Sequence, residues 1–326
     1  MKLHGWIEKD GEIIDSSNLK SLLGKDYSQL RDCGGEFYLE WDDCAARDHF
    51  GIMPGKCPPG VIMCASKVTG TINPNPPAVP LEDAILKAVS LRADKGVVAF
   101  SGGVDSALIA KLSNRPCVTV GLENSHDLIH AKEVAAGIGL TDTNFVEIKK
   151  DEIEPAIKKV IKVIPNKTPV DVSIATTMYF ITRWAHINGF ERVIAGQGAD
   201  ELFGGYARYL ETDSIRDTLR KDFESLSVQS MREQAVAGMN GTYISCPYMD
   251  IRVVRAAREI PTSEIVKSGI RKYPLRCVAA RHMPDDFAFY GKKAMQYGSG
   301  IWKEIQKLAR QNGYKNSVQR YIDQLI

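Results

Sequence analysis

The sequence has almost no net charge: 42 Lys and Arg against 40 Asp and Glu leave +2 over 326 residues. No charge excess asks for a polyanionic partner, whereas a dedicated nucleic-acid binder ordinarily shows a basic footprint. Long hydrophobic runs are missing too. Nothing approaches the roughly 18 apolar residues a membrane span needs, and the mean hydropathy of −0.19 fits a soluble chain. The opening MKLHGWIEKDGEIID is charged too early for a signal peptide, so a cytoplasmic location is expected. Cysteine is sparse and unpatterned: Cys33, Cys44, Cys57, Cys64, Cys117, Cys246 and Cys277 form an odd set of seven with no CxxC pair. A disulfide framework is not expected in so long a chain without a secretory signal. Small buried thiols are expected instead, with Cys57 and Cys64, which flank PPGVIM, left open as a metal or redox pair. Internal repeats and low-complexity tracts are absent.

What is present is ordinary globular material, 44% hydrophobic and 25% charged. At about 100–200 residues per domain the length suggests two domains. The clearest break is Asn73–Pro80, NPNPPAVP, where clustered prolines and asparagines forbid regular structure. Before it, EFYLEW and GVIM predict strands in a small β-rich domain, residues 1–80. After it, residues 81–326 alternate strand and helix. LEDAILKAVSLRA has apolar residues at helical spacing. The runs GVVAF, CVTVGL, NFVEI and RVIAG predict buried strands. Between them lie helical ALIAKL, HDLIHAKEVAAGIG, EIEPAIKKVIKVI and IATTMYFITRWAHING. This alternation predicts an α/β fold with a parallel sheet and helices on both faces. From Leu202 onward the chain predicts a mostly helical C-terminal part with no strong strand, and YKNSVQRYIDQLI predicts a closing amphipathic helix.

Ligands of open parallel sheets bind at the carboxyl ends of the strands, and two Gly-rich loops fall there. In Ser101-Gly102-Gly103-Val104-Asp105-Ser106 the glycines let backbone approach an anion, and the next helix aims free N–H groups at it. Ser101 and Ser106 add hydroxyls. Asp105 would repel a bare phosphate, so its natural role is to hold Mg²⁺ between phosphate oxygens. A Walker A sequence is lacking. The second loop runs from Ala195 to Tyr206, AGQGADELFGGY, where Asp200 is a second carboxylate for the same Mg²⁺. Glu201 suits either a helix-opening acidic residue or a catalytic one. His126 and His130 have the i, i+4 spacing of a metal helix but no third ligand, so solvated histidines are expected. The Lys149–Lys150 pair and the lysines of KKVIK are expected on solvated faces.

GVVAFSGGVDSALIAKL resembles the PP-loop of asparagine synthetases, and GQGADELFGGYARY resembles their second signature. YISCPYMDIRVVRAA is similar to the family's VPFLD segment, and IRKYPLRCVAARHMP to the helix before its catalytic lysine. The resemblance, which extends to β-lactam synthetase-like relatives, covers about Leu81 to Trp302. It implies a synthetase that uses ATP and Mg²⁺ to activate a carboxylate as an acyl-adenylate, releasing pyrophosphate, and then passes the acyl group to an amine. It implies that Ser101, Gly102, Gly103 and Ser106 bind pyrophosphate, that Asp105 and Asp200 hold Mg²⁺, and that Ala99, Val120 and Gly196 contact adenosine. The family lysine aligns with Lys292, or with Lys293 after a slip of one residue, and its charge would offset developing negative charge.

Three departures accompany these matches. The family's glutaminase cysteine follows the initiating Met, where this sequence has Lys2, although GGEFYLEWDDCAARDHFGIMPG still resembles that domain. A truncated, inactive glutaminase-like segment is therefore expected, dependent on free ammonia, another amine or a separate ammonia-supplying protein. The family's GEG glutamate is Gln197, and its GLEVRVPF glutamate and arginine align with Tyr243 and Ser245. The acyl acceptor region is thereby altered, and Gln197 and Asp200 join Lys292 as candidate catalytic residues. The implied partners are a small carboxylate and an amine, with a homodimer as the candidate assembly and neither membrane nor nucleic acid. Two other functions compete. A PP-loop ATP pyrophosphatase that modifies tRNA would bring a tRNA-binding appendage and usually a catalytic cysteine pair, for which Cys57 and Cys64 are the candidates. A non-catalytic nucleotide-binding regulator would have no need of Asp105, Asp200 and Lys292 together.

Overall fold

Strand alternation explains the first sheet. In the computed structural model, which describes residues 1–25, 27–212, 214–291 and 298–325, six strands lie in the order β2-β1-β3-β4-β5-β6. They are β1 (Lys2–Lys9), β2 (Glu12–Ile13), β3 (Gly34–Trp41), β4 (Cys44–Arg47), β5 (Val61–Cys64) and β6 (Lys67–Thr71). All their pairings are antiparallel. Their apolar face meets Leu19 and Leu30 from the helical turns between β2 and β3, closing a core with Ile7, Phe37, Leu39, Ile62 and Ile72. EFYLEW falls in β3 and GVIM ends in β5, as the sequence predicts.

The β4–β5 register sets Cys44 opposite Cys64, and the two form a disulfide. This corrects the expectation of free thiols throughout. Spacing in sequence carries no information about which cysteines a hairpin places face to face. Cys57 is not the partner of Cys64; it is buried and free.

The second sheet has the order β11-β10-β7-β8-β9, built from β7 (Val97–Ala99), β8 (Cys117–Leu122), β9 (Thr143–Ile148), β10 (Arg192–Ile194) and β11 (Tyr243–Ser245). The β10–β7, β7–β8 and β8–β9 pairings are parallel. All six residues of β8 are buried, as a strand covered on both faces must be. Helices follow the strands: Val104–Ser113, His126–Gly137, Ile153–Val160 and Pro169–Ile187. Ser125 accepts from the Leu128 N–H to cap one. Thr168 accepts from Asp171 to cap another, with Pro169 in its first turn. β11 is a short strand beyond Leu202, where the sequence predicts no strong one. Three residues are too few to show a period of two, and tertiary pairing makes the strand, its Tyr243 N–H reaching the Glu191 carbonyl at 2.8 Å.

The chain divides into two compact units, each made of separated segments. The first comprises Met1–Asp94, Gln197–Ser230 and Ser245–Tyr273, and the second Lys95–Gly196, Met231–Ile244 and Pro274–Ile326. A buried ionic cluster ties the first and third segments of the first unit together. Glu36 accepts from Trp6 Nε1 at 3.0 Å, from Arg92 Nη2 at 2.8 Å, from the Cys246 N–H at 2.7 Å and from the Ser245 hydroxyl. Arg92 also reaches Asp250 at 3.2 Å, and Arg252 bridges Asp250 and Glu8. A carboxylate this deeply buried persists only because donors surround it.

Candidate active site

In the second unit, β10, β7 and β8 run side by side and deliver their C-terminal ends together. Ala99 closes β7, Val120 lies in β8, and Gly196 follows β10. All three implied adenosine contacts therefore belong to one edge of the sheet, where the doubly wound rule puts a ligand.

The Ser101–Ser106 loop leads from this edge into the 104–113 helix. Gly102 has φ 73°, a left-handed backbone that glycine adopts without a steric cost. A β-carbon there would also stand 3.0 Å from His130 Cδ2 and 3.2 Å from Ala131 Cα. Gly103 opens the helix with extended backbone and no side-chain cap, which leaves the first-turn N–H groups for a ligand. Ser106 shapes the loop from beneath. Its Oγ accepts from the Ser101 N–H at 3.1 Å, lies 3.0 Å from Ser101 Oγ and donates to the Gly103 carbonyl at 3.1 Å. Asp105 sits in the first turn against Gly196, where a β-carbon would be 3.0 Å from Asp105 Cβ. The two Gly-rich loops thus touch through the backbone of one and the carboxylate-bearing residue of the other.

The 126–137 helix lines the same loop, and one expectation fails there. His130 is only 5% exposed and its ring stacks on Tyr290 at 4.3 Å. It is a packed residue rather than a solvated one, because the helix turns it toward Gly102. Asp127, also buried, lies against Gly298, which has no room for a side chain. The Ser299 carbonyl accepts from the Leu122 N–H at 2.9 Å at the end of β8. Lys292 and Lys293 lie outside the described residues. The described residues flanking them, Tyr290 and Gly298, both rest against the 126–137 helix.

Gln197, Asp200 and Glu201 belong to the first unit. Gln197 Oε1 is buried and accepts no hydrogen bond among the described residues. Asp200 is ion-paired to Lys272 at 2.7 Å, a lysine the sequence did not single out; its only local signal is the Ser268-Gly269 turn just before it. Glu201 is structural: buried, it accepts from Tyr206 Oη at 2.5 Å and from Gln229 Nε2 at 3.2 Å. Burial raises its pKa against the lowering effect of the Tyr206 hydrogen bond. Of the two altered acceptor positions, Tyr243 accepts from Arg192 Nε at 2.7 Å, and Ser245 donates to Glu36.

Among the described residues, no three His, Cys, Asp or Glu gather to hold an ion. Asp105 and Asp200 are hard carboxylates. Mg²⁺ characteristically takes one or two carboxylates together with phosphate oxygens and water, so either donor is of a type that fits an ion arriving with a nucleotide.

Similarity to known proteins follows the same residues. The asparagine synthase family matches residues 80–241 and 222–324. A putative glutamine-hydrolysing asparagine synthetase of Methanocaldococcus jannaschii is 34% identical over 75% of this chain and 53% of its own. Glutamine-hydrolysing asparagine synthetases of Lotus japonicus and Asparagus officinalis are 29% and 30% identical over 60% of this chain and 37% of theirs. The chain thus spans about half, or less, of the length of these curated relatives. A solved NAD+ synthetase from Burkholderia pseudomallei is 12% identical over 72% of this chain and 91% of that one, with a TM-score of 0.28. On the span of the family match and the identity to the archaeal relative, the chain belongs to the asparagine synthase family.

Proposed function

We propose that this chain is an ATP-dependent, AMP-forming ligase. A carboxylate oxygen attacks the α-phosphorus of ATP, the bond to the bridging oxygen breaks, and pyrophosphate leaves. An amine nitrogen then attacks the acyl carbon, sheds a proton and displaces AMP. The observation that carries this reading is the uncapped first turn at Gly103, flanked by Gly102 and by Gly196 against Asp105. That arrangement suits a pyrophosphate cradle, with Gly102, Gly103 and the Ser101 and Ser106 loop as its walls. Ala99, Val120 and Gly196 would bound the adenosine. Asp105 and Asp200 would hold Mg²⁺, which when bound neutralises charge on the phosphate oxygens. Lys292 is the proposed catalytic cation; its flanking residues rest on the helix that packs against Gly102, which supports the assignment. Gln197, with a buried acceptor oxygen, suits a substrate N–H as its donor.

The amine is proposed to be free ammonia or one delivered by another protein. None of the four cysteines of the six-stranded sheet and its loops suits a thiolate nucleophile. Burial pushes Cys33 up to about 12 and also raises Cys57, and Cys44 and Cys64 are bonded to each other. The same bond engages Cys64 and so disfavours Cys57 and Cys64 as a catalytic pair for a tRNA-modifying role. The test is carboxylate-dependent exchange of labelled pyrophosphate into ATP across a panel of amino and other acids. Exchange is expected in the wild type and lost in Asp105→Ala. Exchange that survives this substitution overturns the assignment.

A further inference from the structure

We infer that Lys272 is a positioning residue that occupies the Asp200 carboxylate as a resident monovalent cation, so that a divalent ion arriving with nucleotide must compete with it. The inference deepens the proposed function and rests on Asp200 being a metal ligand. Lys272 Nζ lies 2.7 Å from Asp200 Oδ1, with the lysine side chain 9% exposed and the aspartate 39%. The carboxylate is therefore clasped on one side and open on the other. Further observations show that the pair is built in. Lys272 has φ 57°, an uncommon conformation for a lysine that costs free energy unless its surroundings require it. Gly205 passes so close that any β-carbon there would overlap both Asp200 Oδ1 and Lys272 Cε. Arg271 Nη1 donates to the Gly205 carbonyl at 2.5 Å, which fixes the strained dipeptide against the turn bearing the carboxylate. The Lys267–Ile270 bridge, turned through Ser268 and Gly269 at φ 52° and 76°, aims the pair inward.

Two cations within a few ångströms of one carboxylate repel each other strongly where water is partly excluded. Lys272 thus lowers the affinity of the ligand-free carboxylate for a stray divalent ion and holds its geometry ready. Titration calorimetry on the full chain compares the affinity for α,β-methylene ATP in Mn²⁺ with that in EDTA. The ratio is the metal's contribution and requires no turnover. Lys272→Asn removes the charge while tolerating the left-handed backbone, and is expected to raise the ratio about tenfold. Lys272→Arg, which keeps the charge, is expected to leave it within about twofold and gives a readout should the asparagine variant fold poorly. Asp200→Asn should lower the ratio, and adding Lys272→Asn to it should raise the ratio by less than in the wild-type chain, since competition for that carboxylate is then gone. A ratio that holds or falls in Lys272→Asn, or rises in Lys272→Arg, overturns the lysine's role and leaves Asp200 as a ligand. A ratio unmoved by Asp200→Asn overturns both.

Discussion

Gly196 faces Asp105 so closely that a β-carbon at position 196 would stand 3.0 Å from the β-carbon of Asp105. The obstacle is the root of the side chain and cannot swing away. Gly196→Ala should shift the first turn of the 104–113 helix, costing about 1–2 kcal/mol of stability as overpacking does. Nucleotide affinity should fall by about tenfold or more. Urea midpoints and calorimetric titration of ATP check the two effects, and an alanine variant that binds ATP normally would contradict the contact.

Gly102 carries a sharper constraint, since its φ of 73° and its approach to His130 and Ala131 act together. Gly102→Ala adds about 1–2 kcal/mol for the left-handed backbone to the cost of moving the 126–137 helix. We expect loss of ATP binding with a lowered unfolding midpoint. His130→Ala in the same chain should return only part of the stability, because the Ala131 backbone remains.

Asp48 is fully buried and accepts the Ile52 and Met53 N–H groups at 2.9 Å each. Burial lifts its pKa to about 7 from 3.8, against the lowering effect of those bonds. The folded chain therefore keeps a proton that the unfolded chain releases at about pH 4, and stability should fall as pH rises from about 4 through about 7. The ceiling is roughly 4 kcal/mol. Urea unfolding of wild type and Asp48→Asn across this window checks it: the variant should lose this component of the slope. Identical slopes in both chains would show that Asp48 titrates alike folded and unfolded.

The cross-strand bridge gives a count. The unreduced, denatured chain should alkylate at five thiols, Cys33, Cys57, Cys117, Cys246 and Cys277, and at all seven after reduction. Mass spectrometry reads both numbers. Cys44→Ser should destabilise by about 3 kcal/mol on the loop-closure estimate, and seven labels without reduction would show the bridge absent.

Much of the Ser101–Ser106 end of the sheet is legible in the sequence because its signals are local. GVVAF, SGGVDS and ALIAKL form strand, loop and helix from neighbouring residues, and Gly102, Asp105 and Ser106 sit where that order puts them. The parallel sheet was legible for the same reason, since β8 is a continuous apolar run buried on both faces. β11 was not, being three residues whose strand character comes from β10. The buried place of His130 is not legible, because helical spacing alone does not say which face meets the Gly102 loop.

By itself the sequence determined the alternation of elements, the ends of the strands and the chemistry offered there, all properties of short segments and their solvation. Only the tertiary structure decided the partners: Cys44 with Cys64, Glu36 with Arg92 and Ser245, Asp200 with Lys272. The reason is physical. A buried charge or thiol takes whatever complementary group the packed chain brings within reach, and burial makes that choice energetically decisive while sequence separation leaves it open.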